Sequence, residues 1–180
     1  SGEPKGYINP DHPVQKAIYD LLQEYTGIEE IPMELDGCSA PTAFFTLETI
    51  ARLYQTLSSG KYPELERAYN AMVAYPYNVA GKGHFDTKFI EALKGKGVTK
   101  GGGESVRGIA LRDRAGKNIG IALKALDGNA RAMPIATFKL LEHLDLLTKK
   151  ELSRLDEFRK RDRKNCRNKN IGHIEVFVES

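Results

Sequence analysis

An α+β fold, a helical subdomain followed by an antiparallel sheet with packed helices, is predicted by three features of this 180-residue chain. Apolar residues recur at helical spacing from Val14 to Val73. They alternate in two runs, Ser105 to Arg112 and Asn118 to Leu126, joined by a polar turn with a glycine. Between the two patterns lie glycines at 95, 97, 101, 102 and 103. The expected division is a mainly helical segment over 1–94 and a hairpin, helices and C-terminal strand over 95–180. With 41% apolar and 28% charged residues, the chain has the composition of a soluble protein able to bury a core. No apolar run approaches the roughly 20 residues of a membrane span, and the polar start is not a signal peptide. Two distant cysteines, Cys38 and Cys166, make no disulfide framework, which points to a reducing, cytoplasmic compartment.

The elements follow in order. Asp11 or His12 lies near an N-cap with Pro13 in the first turn. Val14, Ala17, Ile18, Leu21, Leu22 and Tyr25 then line one helix face until Gly27. Residues 30 to 36 read as a short strand or extended arm. Thr46 caps a second helix (Leu47, Ile50, Leu53, Tyr54, Leu57) that stops near Gly60, and Pro63 opens a third that ends before Pro76. Gly81 to Phe85 form a loop, and Asp86 is expected to cap a short helix running to about Lys94. The hairpin turns at Asp113-Arg114-Ala115-Gly116-Lys117. A long helix is expected from about Asn129 to Leu146, with Pro134 tolerable only in its first turns. Thr148-Lys149-Lys150-Glu151 is a capping box for a helix running into a basic block. An alternating strand, His173 to Val178, closes the chain.

The most suggestive stretch is Asp36-Gly37-Cys38-Ser39-Ala40-Pro41. Its glycine and proline build a tight turn. That turn either aims a carboxylate and a thiolate into one pocket or holds a capping Asp and a buried Cys. Lys100-Gly101-Gly102 offers a second choice. Paired glycines let a substrate lie along a strand edge while the lysine meets a carboxylate or oxyanion; otherwise it is a glycine-rich connection with a solvated lysine. No Gly-Lys is followed by Ser or Thr and GxGxxG fails, which removes phosphate-loop readings. The four histidines show no metal-ligand spacing. Seven of the eleven residues from Arg159 to Lys169 are basic, the mark of a solvated helix end or tail. No aromatic residue interleaves them, so nucleic acid is not favoured as a partner.

Five segments, in order, resemble the bacterial L-asparaginase II family of the Rhizobium etli inducible type. They are Gly6-Tyr7-Ile8-Asn9-Pro10-Asp11-His12-Pro13-Val14-Gln15, Asp36-Gly37-Cys38-Ser39-Ala40-Pro41-Thr42, Gly83-His84-Phe85-Asp86-Thr87, Lys100-Gly101-Gly102-Gly103-Glu104, and the run from Gly120 to Ala132. The resemblance spans roughly residues 6 to 147 and rests on the ordered set.

It implies a relative of the serine β-lactamase and penicillin-binding fold that hydrolyses L-asparagine to L-aspartate and ammonia. By that resemblance Cys38 is a zinc ligand, Asp36 an orienting catalytic residue, and Lys100, Gly101 and Gly102 bind substrate. Ser39 departs from the glycine usual after the motif cysteine. The family's Ser-x-x-Lys nucleophile and Cys-Ser-Gly-Lys-His segments are expected upstream of this chain, which would then be one domain lacking its N-terminal part. The expected fragment is inactive alone, with zinc in the full-length enzyme and none in the isolated chain. Its expected partners are L-asparagine, the missing N-terminal portion and a second copy in a homodimer, with no membrane. The rival readings are a glutaminase- or β-lactamase-like serine acyl hydrolase, and a non-catalytic interaction module using the basic block.

Overall fold

Pro13 opens the first helix, α1 (Pro13–Thr26), where its missing N–H costs nothing. His12 Nδ1 accepts from Val14 N at 3.1 Å, and Gly27 ends the helix at φ 70°. The computed structural model describes residues 6–112 and 115–179. Val14, Ile18 and Leu21 stay partly exposed on α1. A small antiparallel hairpin follows, β1 (Met33–Leu35) and β2 (Pro41–Ala43). Thr46 caps α2 (Leu47–Ser58) and Pro63 starts α3 (Pro63–Ala74), as the spacing predicts. Pro76 does more than end α3: it begins a short helix of its own, α4 (Pro76–Ala80). The next helix, α5 (Phe85–Leu93), has its N-cap at His84, two residues earlier than expected. Asp86 therefore falls inside its first turn, where its carboxylate serves the sheet instead of the helix end.

Three strands, β3 (Gly97–Gly101), β4 (Val106–Arg112) and β5 (Asn118–Lys124), make an antiparallel sheet in the order β3-β4-β5. The hairpin forms where alternation places it; Asp113 and Arg114 of its turn lie outside the described residues. Lys100 and Gly101 end β3. The glycines at both ends of Gly97 to Gly101 hid this strand, because pairing with β4 defines it and not its own periodicity. Helix α2 lies across β4 and β5. Glycines make that approach: a Cβ at Gly108 would fall 1.9 Å from the Tyr54 ring. On the opposite face Arg107 and Leu111 meet α5. Tyr69, Phe89, Ile90, Ile109, Phe138 and Leu141 are the heart of the core.

Helix α6 (Met133–His143) starts four residues later than expected, with Pro134 safely in its first turn. The side chains of Asp127 and Asn129 take the amides of Asn129 and Arg131, holding that stretch in turns. The capping box of α7 (Lys149–Arg154) forms fully: Glu151 N donates to Thr148 Oγ1 at 3.0 Å and Thr148 N to Glu151 Oε2 at 2.8 Å.

The basic block is not a helix end. It forms an exposed hairpin, β6 (Arg161–Lys164) with β7 (Asn170–Ile174). Asn165 Oδ1 accepts from Arg167 N and Lys169 N, both at 3.0 Å, and this turn reverses the chain. The closing strand consequently begins before His173 and ends at Ile174, short of the expected Val178.

Candidate functional site

The site is built around the Asp86 carboxylate, which α5 pushes against the end of β3. Asp86 is 5% exposed. Its Oδ2 accepts from Gly101 N at 2.8 Å, and its Oδ1 accepts from Arg107 Nη1. Arg107, 6% exposed, also donates to Thr99 Oγ1 at 3.2 Å, and its guanidinium stacks 4.5 Å from the Phe85 ring centroid. A buried pair holds only when such hydrogen bonds satisfy both ions. A Cβ at Gly101 would sit 3.4 Å from Arg107 Nη2, an ordinary van der Waals contact.

A cleft of about 410 Å³ opens in front of this pair. Lys100, Gly101 and Gly102 line it, with Ser105 and Arg107 in its wall. Two buried donors there, Ser105 Oγ and Arg107 Nε, have no hydrogen-bond partner among the described residues. Glu104 and Ser105 carry φ values of 52° and 55°, consecutive left-handed residues that turn the chain from β3 into β4. Such backbone strain gathers at functional loops. Lys100 is exposed and also borders a second, apolar cleft of about 520 Å³ beside Tyr54, Met72, Tyr75 and Val79. Burial, with the Asp86 charge nearby, pushes the Tyr54 hydroxyl above its ordinary range.

The structure thus brings Lys100, Gly101 and Gly102 together at one cleft. Both glycine amides are engaged, Gly101 N by Asp86 and Gly102 N by Val106 O at 2.7 Å, while the exposed Lys100 ammonium donates to Gly101 O at 2.5 Å. Asp36 and Cys38 stand elsewhere, exposed at the tip of the β1–β2 hairpin. Asp36 Oδ1 accepts from Cys38 N at 2.8 Å and Ala40 N at 3.1 Å. The Ala40 and Cys38 amides hold its carboxyl below the usual range. Neither residue lines the Lys100 cleft. Among the described residues no group of three His, Cys, Asp or Glu side chains could hold a metal ion.

One Ser-x-x-Lys spacing does occur, correcting the expectation that the chain has none: Ser58-Ser59-Gly60-Lys61. It is not a nucleophile pair. Helix α2 stops at Ser58, which is buried and donates to Gln55 O at 2.9 Å, while Lys61 lies beyond the helix over the Tyr62 ring. Sequence reasoning missed Asp86, Arg107 and Ser105. A signal existed for Arg107, since period two puts it on the inward face with Ile109 and Leu111.

Fold and cleft define an α+β protein with a cleft of mixed polar and apolar lining at the end of an antiparallel edge strand. The chain belongs to the L-asparaginase II family, whose model matches residues 1–176. Membership brings an L-asparaginase-like function and implies L-asparagine as the small-molecule substrate. Comparison with curated proteins found no match. Among the described residues no helix is long and apolar enough to cross a membrane.

Proposed function

We propose that this chain is the C-terminal portion of a cytoplasmic amidohydrolase of the Rhizobium etli inducible type, related to the β-lactamase fold, that converts L-asparagine to L-aspartate and ammonia. The family match supports the reaction. The observation that carries the site is the Lys100 ammonium at a cleft whose wall holds two unspent buried donors, Arg107 Nε and Ser105 Oγ. Such donors suit a substrate carboxylate or the oxyanion formed on amide attack.

In this reading an upstream serine, deprotonated by its lysine, attacks the amide carbon and the amide nitrogen leaves as ammonia. Water then hydrolyses the acyl-enzyme to aspartate. Lys100, with the Gly101–Gly102 edge, holds the substrate, and Asp36 orients its partners. Cys38 contributes one ligand to a zinc site completed by upstream residues. A three-stranded sheet is short for an open fold, and strands from that upstream portion complete it.

The test is ammonia release by the whole gene product and by this 180-residue chain. Expected are activity in the former, none in the latter, and asparagine preferred over glutamine. Lys100→Ala should lower kcat/KM by about 10²–10³-fold, the usual scale for a lost charge-stabilising donor. Glutamine preference would assign the chain to the related serine acyl hydrolases, and turnover by the 180-residue chain would place the nucleophile within it.

A further inference from the structure

Lys100 borders two clefts, the polar one in front of Asp86 and the apolar one of about 520 Å³. Antiparallel pairing sets Lys100 opposite Gly108, and residues directly opposite project to the same face of a sheet. That face is the one α2 covers, since the Tyr54 ring lies where a Gly108 side chain would be. Thr99 and Arg107, one position away on each strand, point to the other face, where Arg107 meets Asp86. The lysine side chain therefore leaves β3 on the side of the apolar cleft.

Tyr54 and Leu57 of α2, Met72 of α3, Val79 of α4 and Tyr75 between those two helices wall this cleft. Tyr75 is 65% exposed, so apolar surface stands open to solvent at its side. Among the described residues Lys100 is the one charged group that lines the cleft, and it joins no salt bridge there. The nearby carboxylate of Asp86 is spent on Arg107 and the Gly101 amide. A concave, mostly apolar space of this size with one polar group at its border has the form of a small-molecule site. Its walls select hydrocarbon, and the lone ammonium selects an anion and repels a cation.

We propose that the cleft between α2, α3 and α4 binds an apolar monocarboxylate, its hydrocarbon among Tyr54, Met72 and Val79 and its carboxylate on the Lys100 ammonium. This binding goes beyond the amidohydrolase reading and does not depend on it.

The test is NMR of the 180-residue chain labelled at its methionine methyl groups and titrated with sodium octanoate below its micelle concentration. The three methionines report on separate places: Met72 on the apolar cleft, Met133 on the polar cleft and Met33 on β1. The Met72 signal should move and saturate while Met133 and Met33 stay still. From hexanoate through octanoate to decanoate, affinity should rise by up to about fourfold per methylene, the worth of burying one. Octylamine should leave Met72 unmoved. Lys100→Glu should weaken octanoate at least about tenfold and let octylamine move Met72 instead, because the rim charge is reversed; that gain also shows the variant folded. Octanoate that leaves Met72 still, or moves Met133 in its place, overturns the proposal. So does a Lys100→Glu chain that binds octanoate as tightly as the wild type. If octanoate moves Met72 in the 180-residue chain but not in the whole gene product, the proposal falls in favour of upstream chain as the occupant of the cleft.

Discussion

Asp86 carries three tasks with one carboxylate: it neutralises Arg107, occupies the Gly101 amide, and ties α5 to the sheet. Deleting it would leave a guanidinium buried without its counter-ion, a loss typically worth about 3–5 kcal/mol. Asp86→Ala should therefore lower unfolding stability by about that amount in urea titration, with Asp86→Asn losing less because its amide oxygen still accepts from Gly101. An equal loss in both variants would mean that the charge carries the whole effect and the Gly101 hydrogen bond none. At this scale the sequence was partly legible. At Asp36 the capping carboxylate, one of two readings the sequence left open, is what the structure shows, though Cys38 is exposed and not buried. Asp86, by contrast, sits three residues from a glycine and looks like any helix cap. Its partner lies 21 positions away, and no local pattern connects them.

Helix α2 owes its place on the sheet to side chains that are missing. A Cβ at Gly120 would fall 1.8 Å from the backbone oxygen of Ala51 and 2.5 Å from Gln55 N, and backbone cannot rotate aside. Gly120→Ala should thus push α2 off β5 and cost about 1–3 kcal/mol or more, as overpacking does. Gly37→Ala is its control: no described atom stands within 4 Å of that Cβ, and φ there is ordinary. Thermal melting of the two variants should separate them clearly; equal melting temperatures would refute the close seat. Helices α1, α2, α3 and α7 were readable because caps, prolines and 3.6-residue periodicity are local. Strands β3 and β6 were not, since a neighbouring strand, not their own composition, makes them strands.

Across the whole molecule, glutamates clip distant segments together. Glu66 joins α3 to β4 through Arg112, which holds its carboxyl below the ordinary range. Burial alone would raise Glu142 and Glu151, but Arg159 and Lys139 outweigh it for the first, and Lys96 with Thr148 for the second. All three are depressed in the folded state, so their stabilisation is complete above the ordinary glutamate value of about 4.3 and is lost as pH falls through the lower folded values. On the alkaline side burial lifts the Tyr69 hydroxyl to about 12, and that contribution is full below the ordinary tyrosine value and lost as pH rises through the folded one. The melting temperature should hold steady near neutrality and fall on both sides, with Glu66→Gln and Glu151→Gln flattening the acid limb. An acid limb unchanged in both variants would remove these clips as its cause.

The carboxylate at the end of β3 has one more effect. Gly102 and Lys96 bond to β4, so alternation turns the Gly101 amide outward, along the sheet's open border. That outward donor is already taken by Asp86. An incoming chain seeking to lengthen the sheet there finds its first docking amide stoppered by a negative charge, a built-in guard against fibre-like growth. At the opposite border β5 turns the backbone of Gly120 and Ala122 outward, so a visiting strand has a preferred side from which to join.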